Sequence, residues 1–216
     1  MAFEYPPIYQ DEADKGLSCE LVSAAFKAVN IDIDIQFFPV NRMVMSIANG
    51  DAVCCIGGSV LFADPEVAKK VTISEPIQYV YQAFLYNAKK YPLGIHFSNL
   101  SDMRHYSIGV LNGSGIMRFL EQNKSLHLVT NTTHDGTARQ LQAGRVDVWA
   151  IVDLTGIMYM KRLFPDEYMN YKLTKAFNIG DVSVAFSKKM DPGNVYYNKS
   201  KEGLNIIKKN GTYMKY

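Results

Sequence analysis

Ile47-Ala48-Asn49-Gly50-Asp51-Ala52-Val53 and Leu141-Gln142-Ala143-Gly144-Arg145-Val146-Asp147 repeat one message in the two halves of the chain. Each reads as a helix end, a glycine stop, an acidic residue and a run of apolar β-formers. Glycine is favoured just past a helix because it reaches positive φ without a Cβ clash. The runs that follow, Ala52-Val53-Cys54-Cys55-Ile56 and Val146-Asp147-Val148-Trp149-Ala150-Ile151-Val152, lack clean alternation. That pattern predicts buried parallel strands covered on both faces. A helix–glycine–strand unit in each half predicts an α/β protein of two lobes with a cleft between them.

The flanking sequence fills in both lobes. Residues 3–12 read as an extended, proline-containing opening loop. Leu17, Leu21, Val22, Ala25, Phe26 and Val29 share one face of a helix over 17–29. Ile31 to Phe37 alternates strictly and predicts a half-exposed strand. A second helix runs from Val40 to Asn49, and Asp64-Pro65-Glu66 opens a short one with an N-cap and an N1 proline. Tyr79 to Tyr86 is strongly β in composition and predicts a strand crossing between lobes. In the second half, strands are expected at 107–111, 126–130 and around Trp149, with helices at 116–121, 135–142 and 154–163. Val182 to Phe186 predicts a second crossing strand, followed by a helical tail that Gly211 stops. No linker rich in Pro, Gly or Ser divides the chain.

Composition narrows the function classes. The 216 residues are 48% hydrophobic and 20% charged, enough for a sizeable core. A formal net charge of +2 is too small to argue for nucleic acid or an anionic membrane, and the lysines of the last thirty residues read as a solvated face. No apolar run approaches a membrane span, and Met1-Ala2-Phe3-Glu4 is not a signal peptide. The abrupt start suits a processed N-terminus as well as a natural one. Cys19 on a helix and Cys54 and Cys55 in a buried strand give neither a disulfide framework nor a metal spacing. His96, His105, His127 and His134 are scattered, and Ser114 lacks a nucleophile elbow. No catalytic constellation, metal site or cofactor motif is expected.

Candidate ligand groups stand at element ends. Asn112-Gly113-Ser114-Gly115 follows a strand and opens a helix whose first N–H groups lack internal partners. It reads either as an anion seat or as a tight turn with an N-cap. Asp153 ends the Trp149 strand and either caps the next helix or meets a ligand ammonium. Arg42 near a helix start opposes the dipole, which suits a carboxylate clamp or a solvent-facing cation. Tyr5, Tyr9, Phe62, Tyr79, Tyr81 and Trp149 could line an apolar pocket or belong to the core. Gly58, Ser59 and Thr133 complete the candidate set.

The order of motifs resembles the extracytoplasmic solute-binding proteins of family 3, the amino-acid type of ABC transporter receptor, as a divergent member. The likeness runs from Glu4-Tyr5-Pro6-Pro7, Gly16-Leu17 and Glu20-Leu21 through Pro39-Val40-Asn41-Arg42, Gly50-Asp51 and Ala68 to Pro76. It continues in Ile108 to Ser114, Leu141 to Asp147, Asp153, Val184 to Lys188, Gly203-Leu204 and Asn210-Gly211-Thr212. The resemblance implies a type II periplasmic-binding-protein fold that closes on a ligand by a hinge. Lobe 1 would span 1–84 and 187–216, lobe 2 would span 90–180, and crossing strands at 85–89 and 181–186 would join them. It further implies an extracytoplasmic monomer that hands a small molecule to an ABC permease, or the sensing domain of a histidine kinase or cyclase. Val67 stands where the family's carboxylate-gripping arginine is expected, whereas Asp153 matches the position that holds an α-ammonium. The resemblance leaves the ligand open.

Overall fold

A computed structural model describes residues 1–10 and 15–216; the Asp11-Glu12 end of the expected opening loop lies outside the described residues. The first half contains α1 (Leu17–Lys27), α2 (Val40–Asn49), β1 (Cys54–Gly57), α3 (Pro65–Ala68), β2 (Val71–Ile73) and β3 (Gln78–Asn87). The second contains β4 (Ser107–Leu111), α4 (Gly115–Leu120), β5 (His127–Asn131), α5 (His134–Gln142), β6 (Val148–Val152), α6 (Asp153–Leu163), β7 (Tyr171–Leu173), β8 (Asn178–Ser187) and α7 (Val195–Lys209). The chain forms two units: Met1–Tyr79 with Asp181–Tyr216, and Val80–Gly180. It passes from one to the other inside β3 and returns inside β8.

In the first unit, β8 lies between β1 and β2, antiparallel to both, with Phe186 opposite Cys54 on one side and Thr72 on the other. β1 was expected to pair in parallel. Continuous burial reports that both faces of a strand are covered, not which way its neighbour runs. Met1 flanks β1 on its other side, donating its N-terminal amine to Cys54 O at 2.8 Å and accepting from Ile56 N–H at 2.9 Å. The expected strand at 31–37 does not form. Its exposure alternates, but its one ladder contact is a parallel bridge between Phe37 and Ala2, and a strand needs a partner along its length.

Two glycines explain how the helices of this unit end and pack. Gly50 ends α2 at φ 81°, ψ 37°, donating back to Ile47 O. On α7, a Cβ at Gly203 would stand 1.9 Å from Ala25 O of α1, so the two helices touch backbone to backbone. The buried stripe of Leu21, Val22, Ala25 and Phe26 on α1 is the face that packs inward.

The sheet of the second unit runs β7–β3–β6–β4–β5, with β4 parallel to both β5 and β6 and β3 antiparallel to β6 and β7. All five residues of β6 are buried, as its apolar sequence predicts. Residues 80–84, assigned by sequence to lobe 1, fall in this unit. Gln82, Ala83 and Phe84 pair with Val152, Ile151 and Ala150 of β6, and the backbone ladder decides membership.

Candidate functional site

Three parallel strands of the second unit end on one edge, and each end carries a candidate residue. β4 ends at Leu111, followed by exposed Asn112, whose N–H donates to Asn131 O at 2.8 Å. β5 ends at Asn131, followed by exposed Thr133, which caps α5 by accepting from Gly136 N–H at 3.0 Å. β6 ends at Val152, followed by half-buried Asp153, whose Oδ1 accepts from Leu154 N–H at 2.7 Å. Carboxyl ends of parallel strands are where α/β proteins gather ligands. Ser114 is a helix cap: its buried Oγ accepts from Met117 N–H at 3.1 Å, and Gly115 begins the six-residue α4. The turn-and-cap alternative therefore accounts for the hydroxyl's acceptor role.

The opposite edge of that sheet is built differently. Asp147, just before β6, accepts from Lys90 Nζ at 2.7 Å, Tyr91 OH at 2.6 Å, and Ser107 N–H and Oγ–H at 2.8 and 2.7 Å. Burial opposes its ionisation, but these bonds outweigh burial and hold the carboxyl well below the usual carboxylate range. The bond to Asp147 raises Lys90 in turn. Asp147 thus ties the start of β4 to the start of β6.

Trp149 does not line a surface. It is fully buried, with His134 at 5.8 Å and Tyr159 at 6.0 Å between ring centroids. Desolvation lowers the His134 imidazole to about 3. Phe62 in the first unit is also fully buried. Both follow the core alternative, because a fully covered ring has no face to offer a ligand.

In the first unit, Tyr5 and Tyr9 close a small antiparallel bridge and pack on Phe3, with centroids 6.0 and 4.9 Å away. Both tyrosines are buried. Gly58 and Ser59 follow β1 directly. Ser59 donates its N–H to Asp181 Oδ2 at 3.1 Å and its Oγ–H to Oδ1 at 2.8 Å, while Ser183 Oγ–H reaches Oδ2 at 2.6 Å. Burial, then the charges of Cys19 and Asp181, push the Tyr9 phenol well above its ordinary value. Exposed Arg42 stacks its guanidinium 5.0 Å over the Phe38 ring. Tyr79 and Tyr81, two residues apart on β3, are 63% and 55% exposed, so among the six candidate aromatics they are the accessible ones.

Asp181 escaped the sequence reading. Its only sequence signal is a lone carboxylate at the head of the β-forming run Asp181-Val182-Ser183-Val184-Ala185-Phe186, whose composition reads as a crossing strand. Val67 is buried on α3, and Asp64 caps that helix by accepting from Glu66 and Val67 N–H, so no cation occupies the position where the resemblance expects an arginine.

A histidine kinase sensor domain with similarity to periplasmic binding proteins superposes at TM-score 0.80 and 17% identity, covering 99% of this chain and 91% of that one. The fold is that of the two-lobe, type II periplasmic binding proteins. An ancestral arginine-binding protein bound to arginine shares this periplasmic-binding-protein fold at TM-score 0.77 and 19% identity, covering 99% of this chain and 93% of that chain. So does the substrate-binding protein of an amino acid ABC transporter, at TM-score 0.75 and 18% identity, covering 99% and 94%. No protein-family model and no curated protein sequence matches the chain. Within the periplasmic-binding-protein fold seen here, no helix among the described residues is long and apolar enough to cross a membrane. No group of three or more His, Cys, Asp or Glu side chains among them is placed to hold a metal ion.

Proposed function

We propose that this protein is an extracytoplasmic receptor that captures a small polar or amphipathic molecule by hinge closure, without covalent chemistry. The observation that carries the reading is the shared edge of β4, β5 and β6, where Asn112, Thr133 and Asp153 follow three adjacent parallel strands. Asn112 supplies an amide, Thr133 a hydroxyl and Asp153 a carboxylate suited to an ammonium. Arg42, Gly58, Ser59 and Tyr79 are the groups of the first unit assigned to binding, with Tyr81 of the second unit two residues further along β3, and binding works by favouring one of two states through differential contacts. The similar amino-acid-binding structures support this reading. In this role the receptor acts as a monomer and delivers its ligand to an ABC permease.

A second reading is the sensing domain of a signalling receptor, favoured by the likeness to a histidine kinase sensor domain. Both readings share the binding step, which isothermal titration tests with amino acids, amines, dicarboxylates and aromatic acids. Heat from at least one class, weakened at least tenfold by Asp153→Asn, is expected. No heat and no thermal shift from any class overturns the receptor reading. Unchanged affinity in Asp153→Asn removes that carboxylate from the site. Pull-down of a permease from a membrane extract, or its absence, separates transport from sensing.

A further inference from the structure

We propose that Asp181 makes the first unit's part of the site selective for an organic ammonium that carries no carboxylate. This rests on the receptor reading above and names its ligand class. The argument begins at the turn after β1. A carboxylate ligand arriving there would need the Ser59 N–H and hydroxyl, and Asp181 already takes both. The chain's own carboxylate fills the anion seat, so a second one would meet like charge and spent donors.

The donors around Asp181 are all neutral. Ser59 N–H, Ser59 Oγ–H and Ser183 Oγ–H orient the carboxylate without cancelling its charge. Among the described residues no lysine or arginine forms an ion pair with it. Asp181 is only half-buried, so the uncompensated charge can be reached from outside. The buried Tyr9 phenol feels that charge, and the Phe3 ring packed on it is buried as well, so neither brings a cation to the carboxylate. Val67, buried where the resemblance calls for an arginine, places no cation at that position to reverse the preference.

Titration of the intact chain with putrescine and spermidine on one side, and arginine, glutamate and succinate on the other, tests the inference. The amines are expected to bind, with affinity reduced at least tenfold in Asp181→Asn. Asparagine keeps an acceptor for Ser59 while removing the charge, so the melting temperature should move by only a few degrees and serves as the folding control. Binding of glutamate or succinate with no heat from the amines overturns the inference and leaves the receptor reading standing. Amine affinity unchanged in Asp181→Asn overturns it too, making Asp181 a structural clasp only. Silence from every compound sinks the inference, and the receptor reading falls with it once the aromatic acids of the wider panel are silent too. If Asp181→Asn fails to fold, Ser183→Ala, which removes one orienting bond, must still weaken amine binding several-fold, and unchanged affinity there counts against the inference.

Discussion

Asp147 and Asp181 are both carboxylates that accept bonds from a serine's N–H and hydroxyl, yet they sit in opposite electrostatic situations. Asp147 has Lys90 at 2.7 Å and Tyr91 at 2.6 Å in addition to Ser107. Among the described residues, Asp181 accepts only from Ser59 and Ser183. A carboxylate with its own ammonium is electrically complete and holds two strands together. One supplied only with neutral donors is oriented but still charged, which is what a binding group needs. The difference lies in a single cation, and it separates a structural edge from a candidate binding surface.

The strongest challenge to this contrast is acid. His134 is buried neutral in the second unit, with a folded value of about 3 against an ordinary 6.5. Its depressed value means that the unfolded chain binds the extra proton first. Stability is therefore full above pH 6.5 and is lost as pH falls toward 3, by several kcal/mol. Asp147, also depressed, adds loss below about pH 4. The second unit should thus loosen first in acid. Trp149, the only tryptophan, lies 5.8 Å from His134 and reports it by fluorescence. His134→Phe should flatten the transition between pH 6.5 and 4; an unchanged transition would mean another group drives it.

Asp147→Asn is the next largest effect. Losing the charge among Lys90, Tyr91 and Ser107 should cost about 2–3 kcal/mol, read by chemical denaturation, with ligand affinity unaltered. A change in affinity comparable to that of Asp153→Asn would erase the distinction between the two edges. Asp181→Asn should show the reverse profile, costing only about 1 kcal/mol in stability because no cation loses its partner. The smallest effect belongs to Lys90→Met. Lys90 is 46% exposed, so its removal should cost no more than ~1 kcal/mol. A loss equal to that of Asp147→Asn would show that the cation, not the hydroxyl donors, carries the clasp.

Periodicity made most elements readable. The α1 stripe, the Gly50 and Gly144 stops, the Asp64 cap and the apolar β6 run each rest on contacts within a few residues, and each appears where the sequence puts it. The strand at 31–37 failed because alternation shows which residues face inward but not whether a partner strand is present. The parallel pairing expected of β1 failed for the same reason: strand direction is a property of the neighbour. Among candidate site residues, Asn112 and Asp153 stand at the strand ends where the sequence puts them, and the structure adds Thr133 at the end of the neighbouring strand. Phe62 and Trp149 were not, because an aromatic in the core and one lining a pocket look alike in sequence.

The sequence by itself determined the two-lobe α/β architecture and the strand ends at which to look, because glycine stops, caps and apolar runs act locally. Only the tertiary structure decided which carboxylates are spent and which remain open. Lys90 and Asp147 are 57 residues apart, and Ser59 and Asp181 are 122 apart. The charge balance at each is set by chain segments that only folding brings together.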